Sequence, residues 1–128
     1  MNFFWIGVGS ALGGVARYGC SVLAARAFGA GFPWGTLLVN VSGSLAVGFL
    51  ATLALAESRL PLSVEARLFL VVGVCGGFTT FSSFSLETLN LARDGEWFGA
   101  GAYILCSVLL CLLAVWVGHL GAAALSRP

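Results

Sequence analysis

Gly76-Gly77-Phe78-Thr79-Thr80-Phe81-Ser82-Ser83-Phe84-Ser85 is poor material for a plain membrane helix, yet it lies deep inside a very hydrophobic chain. Glycine destabilises a helix interior by about 1 kcal/mol relative to alanine. The Gly-Gly-Phe-Thr-Thr run therefore invites the helix to open over Gly76–Thr79. Opened backbone at membrane depth survives only where protein or a water-filled cavity satisfies it, so such a break marks an ion or substrate site.

Working outward, 59% of the 128 residues are hydrophobic, 9% are charged, and the mean hydropathy is +1.02. Soluble domains carry roughly 25% charged residues, so the composition reads as an all-α integral membrane protein. There is no lysine, and six arginines against five acids leave a net charge of +1. That gives no basic patch for nucleic acid. No nucleophile–base pair or metal-ligand cluster emerges, and no polar segment is long enough for a solvated catalytic domain, so an enzyme is not expected. Cys20, Cys75, Cys106 and Cys111 sit in apolar segments without a CxxC pair and read as small buried thiols. The start, Met-Asn-Phe-Phe-Trp-Ile, lacks a basic region and reads as a retained span.

Apolar runs of about 20 residues place spans at about 3–27, 34–56, 64–92 and 97–124, with the third broken in mid-membrane. They form a single domain over 1–128 without repeats or linkers. Pro33 and Trp34 suit a helix start at the membrane interface, and Ser63 suits an N-cap. The link Glu57-Ser58-Arg59-Leu60-Pro61 and the tight loop Arg93-Asp94-Gly95-Glu96 separate the later spans. With both termini on one side, Arg59, Arg67 and Arg127 face Arg26 and Arg93 on the other. Lys/Arg bias in short loops orients membrane proteins, and this bias is nearly nil. Either the chain inserts both ways and assembles antiparallel, or one marginal charge decides. The spaced glycines Gly9/Gly13, Gly73/Gly77 and Gly95/Gly99 serve internal packing or a homodimer interface equally well.

Three weakly polar stripes follow helical spacing: Thr36, Asn40 and Ser44; Thr80, Ser83 and Glu87; Tyr103, Ser107 and Cys111. Hydroxyl, amide and thiol groups solvate an ion without the grip of a full charge. Asn40 reads as interhelical glue or a pore donor, and Glu87 as a proton-coupling or structural carboxylate. Phe81 and Phe84, one turn apart, are packing aromatics, or they turn positive ring edges toward an anion. Arg17 snorkels, or pairs with Glu87 or helix carbonyls. His119 reads as an interfacial histidine.

Three blocks in order, Gly13–Tyr18, Pro33–Ser44 and Gly76–Glu87, resemble the fluoride channel family known as Fluc or CrcB. The resemblance covers nearly the whole chain. It implies passive fluoride export across a bacterial plasma (inner) membrane, relieving fluoride toxicity, by an antiparallel dual-topology homodimer of four-helix chains. It implies a central Na⁺ held by the backbone carbonyls of Gly76 and Thr79 from both subunits. It also implies a fluoride pathway past Asn40, Thr80, Phe81, Ser83, Phe84, Tyr103 and Ser107, with Arg17 a vestibule or structural residue and Glu87 beside the track. Ser83 stands where threonine is common in the family, and Cys111 where a small or hydroxyl residue is usual, so Cys111 is given no role. The alternatives are a small proton-coupled exporter of the four-helix dimeric type and a structural membrane subunit.

Overall fold

The computed structural model describes residues 1–55 and 61–126 and is all-helical. The polar link at 57–60, the end of the second span at 56, and Arg59 and Arg127 of the loop-charge balance lie outside the described residues.

Helix α1 runs Asn2–Phe28 and closes at Gly29, whose φ of 83° lies in the left-handed region that glycine enters without strain. Helix α2, Trp34–Leu53, starts directly after Pro33. The third segment, α3 (64–78), begins with one α turn at Val64–Arg67, where Ser63 Oγ accepts from the Ala66 N–H at 3.1 Å. It widens to π-helix over Leu68–Cys75 and returns to α over Gly76–Phe78. Thr79 and Thr80 are extended, with ψ of 154° and 117°. Helix α4, Phe81–Arg93, follows; after the turn at Asp94–Gly95, helix α5 covers Trp97–Ser126.

Among the described residues, three stretches are long and apolar enough to cross a bilayer: Trp34–Leu53, the interrupted Val64–Arg93, and Trp97–Ser126. Twenty helical residues span about 30 Å, the thickness of the hydrocarbon core. Helix α1 has 27 residues, but Arg17 and its glycines dilute its apolarity below that of the others.

The helices pair as α2 with α5 and α1 with α3, and α4 folds onto α5. Both pairings depend on missing side chains. A Cβ at Gly13 would run into the Val74 carbonyl, one at Gly77 into Ser10, and one at Gly118 into the Leu45 carbonyl. Gly9/Gly13 and Gly73/Gly77 are thus internal packing faces that bring the α1 and α3 backbones together. Gly95 instead serves the turn, with φ of 81°. The small core centres on Leu37, Phe84 and the fully buried Tyr103. Phe3, Phe98, Leu113 and Trp116 lie on the outside, an arrangement that suits lipid rather than water as the surrounding solvent.

Candidate functional site

The sequence reading opens the third helix at Gly76–Thr79; the structure keeps Gly76–Phe78 helical and opens it at Thr79 and Thr80. Two facts explain the shift. Gly77 sits on the face packed against α1, where it has no room for a side chain, while Gly76 turns toward the groove. The break itself is held by Asn40 on α2. Asn40 Nδ2 donates to the Thr80 carbonyl at 3.0 Å, and Oδ1 accepts the Thr80 N–H at 2.8 Å. One side chain thereby satisfies both main-chain groups of the residue at the break, the pairing an adjacent strand would make. The Asn40 glue role and the break are one feature.

This substitution frees backbone acceptors. In an unbroken helix the Thr80 N–H would reach the Gly76 carbonyl, and the Ser83 N–H would reach that of Thr79. Here Thr80 gives its N–H to Asn40, and Ser83 gives its own to Thr80 Oγ1 at 3.1 Å as an N-terminal cap of α4. The Gly77 carbonyl, which would take the Phe81 N–H, receives Arg17 Nε at 3.3 Å. Of the options open to Arg17, the structure therefore realises a helix carbonyl. Among the described residues no three His, Cys, Asp or Glu side chains come together. The oxygen donors offered at the break are main-chain ones at Gly76 and Thr79, a neutral, hard set that fits an alkali cation by its chemistry.

A groove of about 460 Å³ opens beside the break, lined in part by Asn40, Thr80, Phe81, Phe84 and Ser107. Gly76, Thr79 and Ser44 also line it, as do Cys75 and Cys111, and none of its lining residues is charged. Phe81 and Phe84 stand with ring centroids 5.3 Å apart at 53°; Phe81 is 77% exposed and Phe84 9%. Ser107 is 7% exposed, and its hydroxyl has no hydrogen-bond partner. A buried polar atom left unpaired costs about 1–3 kcal/mol, so this one on a groove wall is a notable cost.

The other predicted residues gather one layer away. Glu87 on α4 accepts on both oxygens: from Thr36 Oγ1 at 2.8 Å and from the Tyr103 hydroxyl at 2.6 Å. These bonds tie α4 to α2 and α5 through a carboxylate, and Thr36, 5% exposed, is as deep as the groove residues. The Tyr103 ring also packs on Phe84, with centroids 5.1 Å apart, so the network backs the phenylalanine wall. Ser83 Oγ accepts from Thr80 Oγ1 at 3.1 Å, within the cap of α4. His119 Nδ1 meets Thr52 Oγ1 at 2.9 Å, joining the far ends of α5 and α2.

The sequence reading missed Thr36 as the partner of Glu87. Its place on the Asn40 stripe was the available signal. The three stripes do converge: Thr36 on Glu87, Asn40 on Thr80, and Ser44 with Ser107 and Cys111 on the groove.

Residues 4–119 match the family model described as CrcB-like protein, Camphor Resistance (CrcB). A protein of Methylocella silvestris named fluoride-specific ion channel FluC is 54% identical over 127 residues, 99% of this chain and 97% of that one. Proteins of the same name are 50% identical in Paramagnetospirillum magneticum, over 99% of both chains, and 52% identical in Opitutus terrae, over 97% of this chain and 94% of that one.

Proposed function

The chain belongs to the CrcB family, and we propose that it is a fluoride-selective channel that lets fluoride leave the cell passively. It is a multi-pass membrane protein of bacterial type, in our reading of the inner membrane, and not an enzyme. The observation that carries the proposal is the uncharged groove at the break, with an unpaired buried hydroxyl and two phenylalanine rings on its walls.

The chemistry suits a small, strongly hydrated anion. Leaving water costs such an ion heavily, so the path must offer donors in water's place. Ser107 has an uncommitted O–H, and Asn40 Nδ2 keeps one hydrogen beyond the one given to Thr80. The ring edges of Phe81 and Phe84 add a weakly positive surface that needs no hydrogen bond. No cationic side chain lines the groove to trap the anion. Thr80 and Ser83 extend the hydroxyl track at the start of α4, and Tyr103 and Glu87 fix the wall behind it. Fluoride that enters as HF and ionises inside would follow its own gradient outward, and no energy source is required.

We further propose that α1 is a fourth span, making 1–128 one four-helix channel domain. The chain works as an antiparallel dual-topology homodimer, since one short chain cannot wall a path on every side. The large apolar exterior and the near-even arginine balance support that assembly. The freed carbonyls of Gly76 and Thr79 are the residues that would hold a structural Na⁺, which when bound supplies positive charge close to the anion path. Arg17 supports this region by engaging the Gly77 carbonyl. A proton-coupled exporter would need an acid in the cavity. Glu87 does not line the groove, and both its oxygens are engaged.

A fluoride electrode tests the proposal. Liposomes holding the purified protein should release fluoride well above empty vesicles; release at the empty-vesicle rate would leave a structural subunit as the reading.

A further inference from the structure

Asn40 and Gly43 lie on one face of α2 and meet the break in opposite ways, Asn40 through hydrogen bonds and Gly43 through the side chain it lacks. Gly43 is buried. A Cβ there would run into Thr79 Cγ2 and come within 3.2 Å of Phe78 Cδ1. At Gly9, Gly13, Gly48, Gly77 and Gly118 the obstacle is neighbouring backbone; at Gly43 it is first of all one methyl group. Gly43 is thus a recess that receives the Thr79 methyl rather than a point of close helix approach.

The rest of Thr79 is held as firmly. Its Oγ1 donates to the Cys75 carbonyl at 2.9 Å, and its N–H donates to the same carbonyl at 3.0 Å. A β-branched side chain is stiff at χ1, and here both branches are engaged. The Thr79 carbonyl shares a peptide unit with the Thr80 N–H, and in a trans peptide the two point in opposite directions. Asn40 Oδ1 takes that N–H at 2.8 Å, so the Thr79 oxygen is aimed away from Asn40. Asn40 fixes one end of the peptide plane, and the seated Thr79 side chain fixes the Cα at the other.

We propose that Gly43 is a positioning residue for the Thr79 carbonyl: by leaving room for the Thr79 methyl it keeps that oxygen in the aim that favours sodium. The cation preference rests on the reading that the Gly76 and Thr79 carbonyls would hold Na⁺; the seating of the methyl does not. A Cβ at position 43 displaces Thr79 at its methyl while Asn40 still holds the Thr80 N–H, so the peptide plane between them has to turn. Selection among alkali cations follows the placement and number of carbonyl dipoles, so a turned carbonyl loses preference as well as stability.

The test follows thermal unfolding of the purified full chain in detergent, with sodium chloride titrated against potassium chloride or N-methylglucamine chloride at constant ionic strength. An ion that binds the folded state raises the midpoint by mass action, so the sodium dependence reports affinity. Gly43→Ala should lower the midpoint and weaken apparent sodium affinity at least about tenfold, equivalent to about 1.4 kcal/mol. Thr79→Ser removes the obstructing methyl and keeps the hydroxyl, so the double variant Gly43→Ala/Thr79→Ser should regain both. A lowered midpoint with unchanged sodium affinity in Gly43→Ala would make Gly43 a packing residue only and overturn the proposal. A double variant as impaired as Gly43→Ala overturns it too, including where Gly43→Ala alone does not fold. If the unmodified chain shows no preference for sodium over potassium, the sodium reading falls and the cation part of the proposal with it. Recovery of the midpoint by Thr79→Ser would in that case still uphold the seating of Thr79 by Gly43.

Discussion

Asn40 grips Thr80 by both its main-chain groups, donating Nδ2 to the carbonyl at 3.0 Å and accepting the N–H on Oδ1 at 2.8 Å. The amide of one helix replaces the hydrogen bonds that another helix gives up. That exchange lets a break persist inside an apolar bundle, where an unpaired backbone group is costly.

Asn40→Ala is expected to do more than remove a pore donor. It leaves the Thr80 N–H and carbonyl without partners, at about 1–3 kcal/mol for each group. Both the unfolding midpoint in detergent and fluoride efflux should fall. Unchanged stability with reduced flux would assign Asn40 to the ion alone.

Thr36 and Tyr103 should act through one shared acceptor. Thr36→Val and Tyr103→Phe each remove a hydroxyl bonded to Glu87, and an intramolecular hydrogen bond contributes about 0.5–1.5 kcal/mol net. The double variant should lose less stability than the sum of the single ones, with a coupling of at least about 0.5 kcal/mol. Additive losses in a double-mutant cycle would mean that the two bonds do not communicate through Glu87.

The glycines of α1 should sort into two kinds. Gly13→Ala drives a Cβ into the Val74 carbonyl, whereas a Cβ at Gly19 meets nothing within 4 Å. Overpacking costs about 1–3 kcal/mol, while glycine to alanine in an open helix position favours the helix by up to about 1 kcal/mol. Thermal unfolding of the two variants should move in opposite directions. Equal tolerance would show that α1 and α3 do not approach as closely as described.

Reporter fusions to the C-terminus address topology. Near-even arginines on the two sides predict signal from both compartments, and a signal confined to one side would count against dual insertion.

Much of this site was legible because helical spacing is local. Thr36, Asn40 and Ser44 announce one face by period alone, and so do Tyr103, Ser107 and Cys111. What each face meets is a tertiary matter. The Thr36–Glu87 and Asn40–Thr80 bonds join residues 51 and 40 positions apart. The opening expected over Gly76–Thr79 is confined to its end, at Thr79 and Thr80, for the same reason. Gly76-Gly77 looks like a hinge by propensity, but the space at Gly77 is taken by α1, and the chain opens where Asn40 can reach. The π-helical turns of Leu68–Cys75 left no trace in the sequence: eight apolar or small residues there would fit an α-helix equally well.

The central claim is that this groove conducts fluoride by weak, uncharged contacts. Its most direct test is to follow fluoride and chloride release from the same liposome preparation, for the unmodified chain and for Phe81→Ile. The unmodified chain should release fluoride and retain chloride, with Phe81→Ile markedly slower though still folded. Chloride release alongside fluoride, or full fluoride release through Phe81→Ile, would contradict the account.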